Sequence, residues 1–207
     1  MDLVVPLVIF LLPLAYSPGP GNAYFAALGA SVGLRASVPA LAGYHVATFV
    51  VTVPIGLGLD ATVLQSPTAA LMLSLVGSGY IVWLAFALIR AARQPVREAG
   101  SSSPVRAPAY GFWSGAIVLV ANPKTYYIIA VMFTTFLPAA SADNAVLVIG
   151  VATVFTLNNL VAFIVWALGG RALATLFHSP RARRRINYLF ALSLVSVAVW
   201  MSASVLS

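Results

Sequence analysis

The stretch Pro13-Leu14-Ala15-Tyr16-Ser17-Pro18-Gly19-Pro20-Gly21-Asn22-Ala23-Tyr24 lies inside an apolar run from about 3 to 33, and its reading decides how that run folds. Proline removes a backbone donor and collides with the turn before it. Glycine adds freedom where the chain bends. Pro18-Gly19-Pro20-Gly21 should therefore break a helix, not merely bend it. A second apolar run, 111–137, carries Asn122-Pro123-Lys124 near its middle and should break or kink there.

Composition identifies the solvent. The chain has 207 residues, 61% apolar and only 7% charged. A soluble domain is about 25% charged, so these charges cannot coat a water-facing surface and a bilayer is expected around the chain. There is no cysteine, which removes disulfides, thiolate metal sites and thiol nucleophiles. A membrane helix needs about 20 mostly apolar residues. Six stretches qualify, at 3–33, 38–59, 69–89, 111–137, 145–168 and 187–206. The start carries Asp2 in place of the positive flank of a secretory signal, so 3–33 reads as a retained first span.

The net charge of +7 could suggest nucleic acid, but its placement argues otherwise. Arg90, Arg93, Arg97 and Arg106 share one loop, and Arg171, Arg181, Arg183, Arg184 and Arg185 share another. Basic residues beside spans set orientation. The first loop carries Arg35, whereas the second and fourth carry only Asp60 and Asp143. Loops one, three and five are thus expected in the cytoplasm and both termini outside. No nucleic-acid partner is expected.

The sequence reads as one transmembrane domain over 1–207, with a first repeat 1–89, a cytoplasmic linker 90–110 and a second repeat 111–207. A shift of 105 residues lays Pro18 on Pro123 and Val46-Ala47-Thr48 on Val151-Ala152-Thr153. Three spans per half means that the halves enter the membrane from opposite sides. The expected fold is therefore an all-α polytopic membrane protein, six transmembrane helices as two inverted three-helix repeats, with helices 1 and 4 broken at the proline motifs. Irregular backbone at membrane depth is tolerated only where protein buries it or a cavity adjoins it. After each break a half-helix restarts, with proline suited to its first turn and a positive dipole end near the midplane. Two such ends facing each other would bind an anion. Kinks used only for packing are the plainer alternative.

Lys124 is the charge placed most deeply in any span. It stands at the positive start of a half-helix, the wrong end for a cation, and Asp2, Asp60, Glu98 and Asp143 all fall at span ends or in loops. Three outcomes follow. The ammonium snorkels to an interface, releases its proton, or is paired by something outside the sequence such as a substrate carboxylate.

Pro18, Gly19, Pro20, Asn22, Asn122, Pro123, Lys124, Tyr126 and Asn158 make up the expected substrate site, with Lys124, His45 and Thr48 as possible coupling groups. Asn22 and Asn122 adjoin the breaks and could cap freed backbone groups, Asn122 above all. Tyr24, Tyr126 and Tyr127 follow within about a turn. Of the adjacent Asn158 and Asn159, one should face the interior, since neighbours on a helix diverge by about 100°. His45 and Thr48 lie one turn apart, although a lone histidine is more often a packing residue. Gly29 with Gly33, and Gly77 with Ser78 and Gly79, read as close-packing sites. Such small-residue faces permit a homodimer.

The chain has no G-x-S-x-G, no H-E-x-x-H and no Walker lysine loop. Two histidines without a nearby carboxylate make a poor metal site. Neither an enzyme nor a bound cofactor or metal is expected. A carrier of a small molecule, working by alternating access in the lipid bilayer, is the leading reading. An exporter of another small solute or a cation, or a passive channel, is the alternative.

Ser17-Pro18-Gly19-Pro20, Gly29, Gly33-Leu34-Arg35 and Ala42-Gly43 resemble the opening signature of the LysE/RhtB family of amino-acid exporters. Gly77-Ser78-Gly79-Tyr80-Ile81-Val82-Trp83-Leu84-Ala85-Phe86 resembles that family's third span, and Phe112-Trp113-Ser114-Gly115 with Asn122-Pro123-Lys124 its fourth. The resemblance implies a bacterial inner-membrane exporter of amino acids or related small carboxylate metabolites, coupled to the proton-motive force. It also implies that Pro18-Gly19-Pro20 and Asn122-Pro123-Lys124 are functional motifs. Thr48 stands where many members of that family carry an acidic or amide residue.

Overall fold

The computed structural model describes residues 3–17, 19–58, 111–137 and 144–176, with isolated helical positions at 75, 79, 82, 83, 85, 86, 89, 185, 188, 189, 191, 192, 195, 196 and 199. Six continuous helices occupy the described segments: α1 (Val4–Tyr16), α2 (Pro20–Val32), α3 (Leu34–Gly56), α4 (Phe112–Val120), α5 (Pro123–Phe136) and α6 (Ala145–Leu176). No strand occurs among the described residues.

Both expected breaks are present. α1 ends at Tyr16, and α2 restarts at Pro20 after Gly19, whose φ of −167° and ψ of 176° are fully extended. α4 ends at Val120 and α5 restarts at Pro123 after Asn122, also extended at φ −100° and ψ 98°. Each pair is bent by 65° at its break. Proline occupies the first turn of both restarted helices, where its missing N–H has no intrahelical role. Pro39 and Pro54, by contrast, lie inside a continuous α3. A proline can be absorbed within a membrane helix where neighbours satisfy the freed backbone, so proline alone does not decide a break.

Among the described residues, α3 and α6 are each long and apolar enough to cross a bilayer, and the bent pairs α1–α2 and α4–α5 each qualify as one broken span. α6 runs to Leu176, eight residues beyond the expected end of the fifth span. Its 32 residues make a rod of about 48 Å, longer than the roughly 30 Å hydrocarbon layer. The expected third and sixth spans fall largely outside the described residues, as do Pro18, the linker 90–110 and all four acids. Their isolated described positions are helical, and Ala85 and Ala191 are buried in the core.

Lipid tails are as apolar as leucine, so helices in a bilayer associate through close packing. Two reciprocal glycine crossings supply it. A Cβ at Gly29 of α2 would strike the Ala167 carbonyl of α6, and one at Gly170 would strike the Ala26 carbonyl. Likewise Gly43 of α3 abuts the Phe112 carbonyl, and Gly115 of α4 the Ala40 carbonyl. Gly29 is thus the contact site the sequence suggested. Gly33 is not: it forms the turn between α2 and α3 at φ 80°, a left-handed conformation that suits glycine. A Cβ at Gly79 would meet nothing within 4 Å among the described residues. One core cluster gathers Phe25, Leu28, Ala40, Tyr44, Leu119 and Phe163 from α2, α3, α4 and α6. A second joins Leu7 and Leu11 of α1 to Ile129, Met132 and Phe133 of α5 and Val151 of α6.

Candidate functional site

A helix that stops inside a bundle leaves carbonyls without partners. At the first break most of them are accounted for. The Ser17 N–H donates to the Pro13 carbonyl at 3.0 Å, and the Ser17 hydroxyl to the Leu14 carbonyl at 2.9 Å. Across the break, Asn22 Nδ2 donates to the Ala15 carbonyl at 2.8 Å. The second break follows the same logic. The Ala121 and Asn122 N–H groups donate to the carbonyls of Ile117 and Leu119, each at 2.9 Å. The Tyr126 hydroxyl reaches back to the Val120 carbonyl at 3.1 Å. In both pairs a polar side chain on the restarted helix closes the end of the helix before it.

Lys124 joins the two breaks. Its Nζ donates to the Ser17 carbonyl at 2.8 Å and to the Ser17 hydroxyl oxygen at 2.9 Å. The lysine therefore starts on the positive end of α5 and delivers its charge to the negative end of α1. This is none of the three outcomes expected from the sequence, because the partner is a carbonyl of the chain itself, 107 residues away. The side chain is half-buried. An ammonium has three donors, and Ser17 takes two of them.

Gly19 makes this approach possible. A Cβ there would lie 3.0 Å from Lys124 Cδ and 3.2 Å from Nζ. Since Gly19 is extended, its small size is what the site uses, not a special backbone angle. The end of the Lys124 side chain thus lies against Gly19, the N-cap of α2.

A second point of convergence is the Tyr44 hydroxyl of α3, which the sequence did not single out. Asn122 Nδ2 donates to it at 3.3 Å, and Thr125 Oγ1 lies 3.4 Å away. Asn159 of α6 stands beside the same hydroxyl. From α2, Gly21 comes so close that a Cβ would sit 3.1 Å from the hydroxyl and 2.7 Å from Phe163 Cζ. Phe25, Tyr44 and Phe163 stack around it, with ring centroids 4.7–5.6 Å apart. Buried Asn122 Oδ1 has no hydrogen-bond partner among the described residues.

The remaining expected residues are placed as follows. Capping, expected of Asn122, is performed by Asn22 instead; Asn122 is the N-cap of α5 but spends its amide on Tyr44. The reason is register: Asn22 lies one helical turn past the break and faces back over α1, whereas Asn122 faces α3. Of the paired asparagines, Asn159 is buried at the Tyr44 cluster, and Asn158 is half-buried with no partner for Nδ2 among the described residues. His45 and Thr48 are both buried and both bond their own helix, His45 Nδ1 to the Leu41 carbonyl at 2.7 Å and Thr48 to the Tyr44 carbonyl at 2.8 Å. His45 also packs on Phe163 at 5.5 Å, with the Asn159 backbone alongside. Tyr24 meets Ser114 of α4 at 2.9 Å. Ser114 donates its own proton to the Gly111 carbonyl, so Tyr24 is the donor of the pair. Pro18 lies outside the described residues, and Pro123 contributes the first position of α5. Among the described residues no group of three histidines, cysteines or carboxylates could hold a metal.

Known proteins resemble the chain along most of its length. The sequence profile of the LysE type translocator family matches residues 12–204. An uncharacterized membrane protein of Vibrio cholerae serotype O1 is 30% identical over 193 residues, covering 92% of each chain. The cysteine/O-acetylserine efflux protein of Escherichia coli K12 is 30% identical over 187 residues, covering 89% of this chain and 90% of its own. That of Shigella flexneri matches to the same extent. No solved structure matches the chain.

Proposed function

The chain belongs to the LysE type translocator family, and from that premise we propose that it exports a small neutral amino acid, or a related small carboxylate metabolite, across the bacterial inner membrane. The relatives named for cysteine and O-acetylserine efflux support this cargo class. The observation that carries the reading is the Lys124–Ser17 bridge, which joins the start of α5 to the end of α1 beside Gly19, the N-cap of α2.

The bridge pairs an ammonium with a carbonyl, the two groups that would take a zwitterion's carboxylate and its ammonium. An entering amino acid exchanges both partners at once. Its carboxylate takes the Lys124 ammonium and the positive ends of α2 and α5. Its own ammonium takes the Ser17 carbonyl that Lys124 releases. The exchange moves no net charge into the bilayer, which favours a zwitterion over a cation. The Tyr44, Asn122, Thr125 and Asn159 cluster, which Asn122 and Gly21 join to the two breaks, reads the cargo's side chain.

Alternating access follows from two inverted halves rocking about this bridge. The equal 65° bends and the matched closure of each break by a downstream side chain support that symmetry. Export draws on the proton-motive force, with Lys124 and His45 as the basic groups inside the spans. Purified protein in proteoliposomes should show saturable counterflow of cysteine or O-acetylserine, and export in overexpressing cells should fall when an uncoupler is added. Unitary currents in place of counterflow would identify a channel and refute the carrier.

A further inference from the structure

A second site lies at the opposite end of α2 from the break. The junction between α2 and α3 is not a smooth cap: Ser31, Val32 and Gly33 open into a cavity of about 440 Å³, shared with Gly29, Ala30, Arg35, Arg171, Ala174 and Thr175. Pockets of this size hold ligands larger than a single ion. We infer that this cavity binds the phosphate of an anionic phospholipid headgroup between Arg35 and Arg171.

Three positive features meet there. Arg35 is the second residue of α3, so its guanidinium adds to the positive end of that 23-residue helix. The first N–H groups of α3 have no intrahelical acceptors, because the ladder begins only with Ser37 N–H to the Gly33 carbonyl. Arg171 comes from α6, and its Nη1 lies 3.8 Å from where a Gly33 Cβ would stand. Its charge is therefore directed at the start of α3. No carboxylate is present among the described residues to neutralise this group. The hydroxyls in the wall are already committed, Ser31 to the Ala27 carbonyl and Thr175 to the Ala172 carbonyl. The donors left for a ligand are the two guanidinium forks and the α3 backbone, which match phosphate oxygens.

The surroundings favour a lipid over a soluble ion. Val32 in the wall, and Leu173 and Leu176 on the last turns of α6, are exposed hydrophobic side chains. They offer acyl chains a surface beside the charged pocket. Basic pockets between membrane helices recognise anionic headgroups in this way. The site is remote from Lys124 and does not depend on the cargo proposed above.

The full-length protein is reconstituted in nanodiscs of phosphatidylcholine alone, or with one part in three phosphatidylglycerol. Native mass spectrometry reads retained lipid, and the melting temperature reads stabilisation. Wild type should retain phosphatidylglycerol in preference to phosphatidylcholine and melt higher in the anionic discs. Arg35→Gln and Arg171→Gln should each weaken retention about tenfold, the effect of losing one charge-assisted contact. Arg185→Gln, at an exposed helical position, should retain it as wild type does. Wild type showing no preference, or Arg185→Gln losing as much as the other two, would overturn the proposal. So would inorganic phosphate protecting the protein equally in phosphatidylcholine discs, since the ligand would then be a free anion. Glutamine variants that retain the lipid as wild type does would overturn it too, and where one fails to fold, the lysine variant at that position, which keeps the charge but loses the fork, is read in its place.

Discussion

Replace Lys124 by methionine, which keeps the stem and removes the charge. Two bonds disappear, from Nζ to the Ser17 carbonyl and to the Ser17 hydroxyl. For a half-buried charged donor their loss costs about 3 kcal/mol, the lower end of the range for two such bonds. The substitution also relieves the cost of holding an ammonium within a span, about 2.5–3.5 kcal/mol at a helix centre. These terms nearly cancel, so folding stability is expected to move by less than about 1 kcal/mol. Transport has no such compensation. A substrate carboxylate deprived of its charged partner loses about 1.5–3 kcal/mol, so export should fall about ten- to a hundredfold. The assay pairs counterflow of radiolabelled O-acetylserine in proteoliposomes, normalised to folded protein, with thermal melting in the same detergent. A lysine serving only as a strut gives the reverse pattern: lower melting, and a normal rate for each folded molecule. That pattern, or wild-type values in both assays, would refute the reasoning.

Gly19→Ala should leave the fold intact but slow export several-fold, because the new methyl, 3.0 Å from Lys124 Cδ, pushes the lysine off its seat; cell efflux normalised to membrane level checks it. Gly170→Ala and Gly115→Ala should each lower stability by about 1–3 kcal/mol or more through overpacking, since their methyls meet the backbone carbonyls of Ala26 and Ala40, which cannot swing aside. Gly150→Ala, where nothing among the described residues lies within 4 Å, should melt no lower than wild type. Tyr44→Phe should cost about 1–3 kcal/mol in melting experiments, because it leaves the buried Asn122 amide without its acceptor. Reporter fusions after residues 60 and 100 should place the first outside and the second in the cytoplasm; the opposite result would invert the orientation.

Much of the fold could be read from the chain because the deciding chemistry is local. The Pro18-Gly19-Pro20-Gly21 run and Asn122-Pro123 mark the two interruptions in the sequence, although Pro39 and Pro54 are absorbed within α3. The membrane solvent follows from the scarcity of charge, and the family from motifs that hold their order along the chain. Helix ends were less legible. α6 outruns its apolar stretch: Gly169, Gly170 and Arg171 stay helical, and Gly170 packs on Ala26.

Partnership was not legible at all. Nothing in the residues around Lys124 points to Ser17, and nothing distinguishes Asn22 as the cap from Asn122 as the companion of Tyr44. Tyr44 itself looks like any aromatic residue on an apolar helix until Asn122, Thr125 and Gly21 arrive from other elements. The sequence by itself determined the bilayer as solvent and the two places where a span is interrupted, since backbone donors and charge are properties of each residue. Only the tertiary structure decided which stopped end meets which side chain, because that depends on the angle at which separate helices cross.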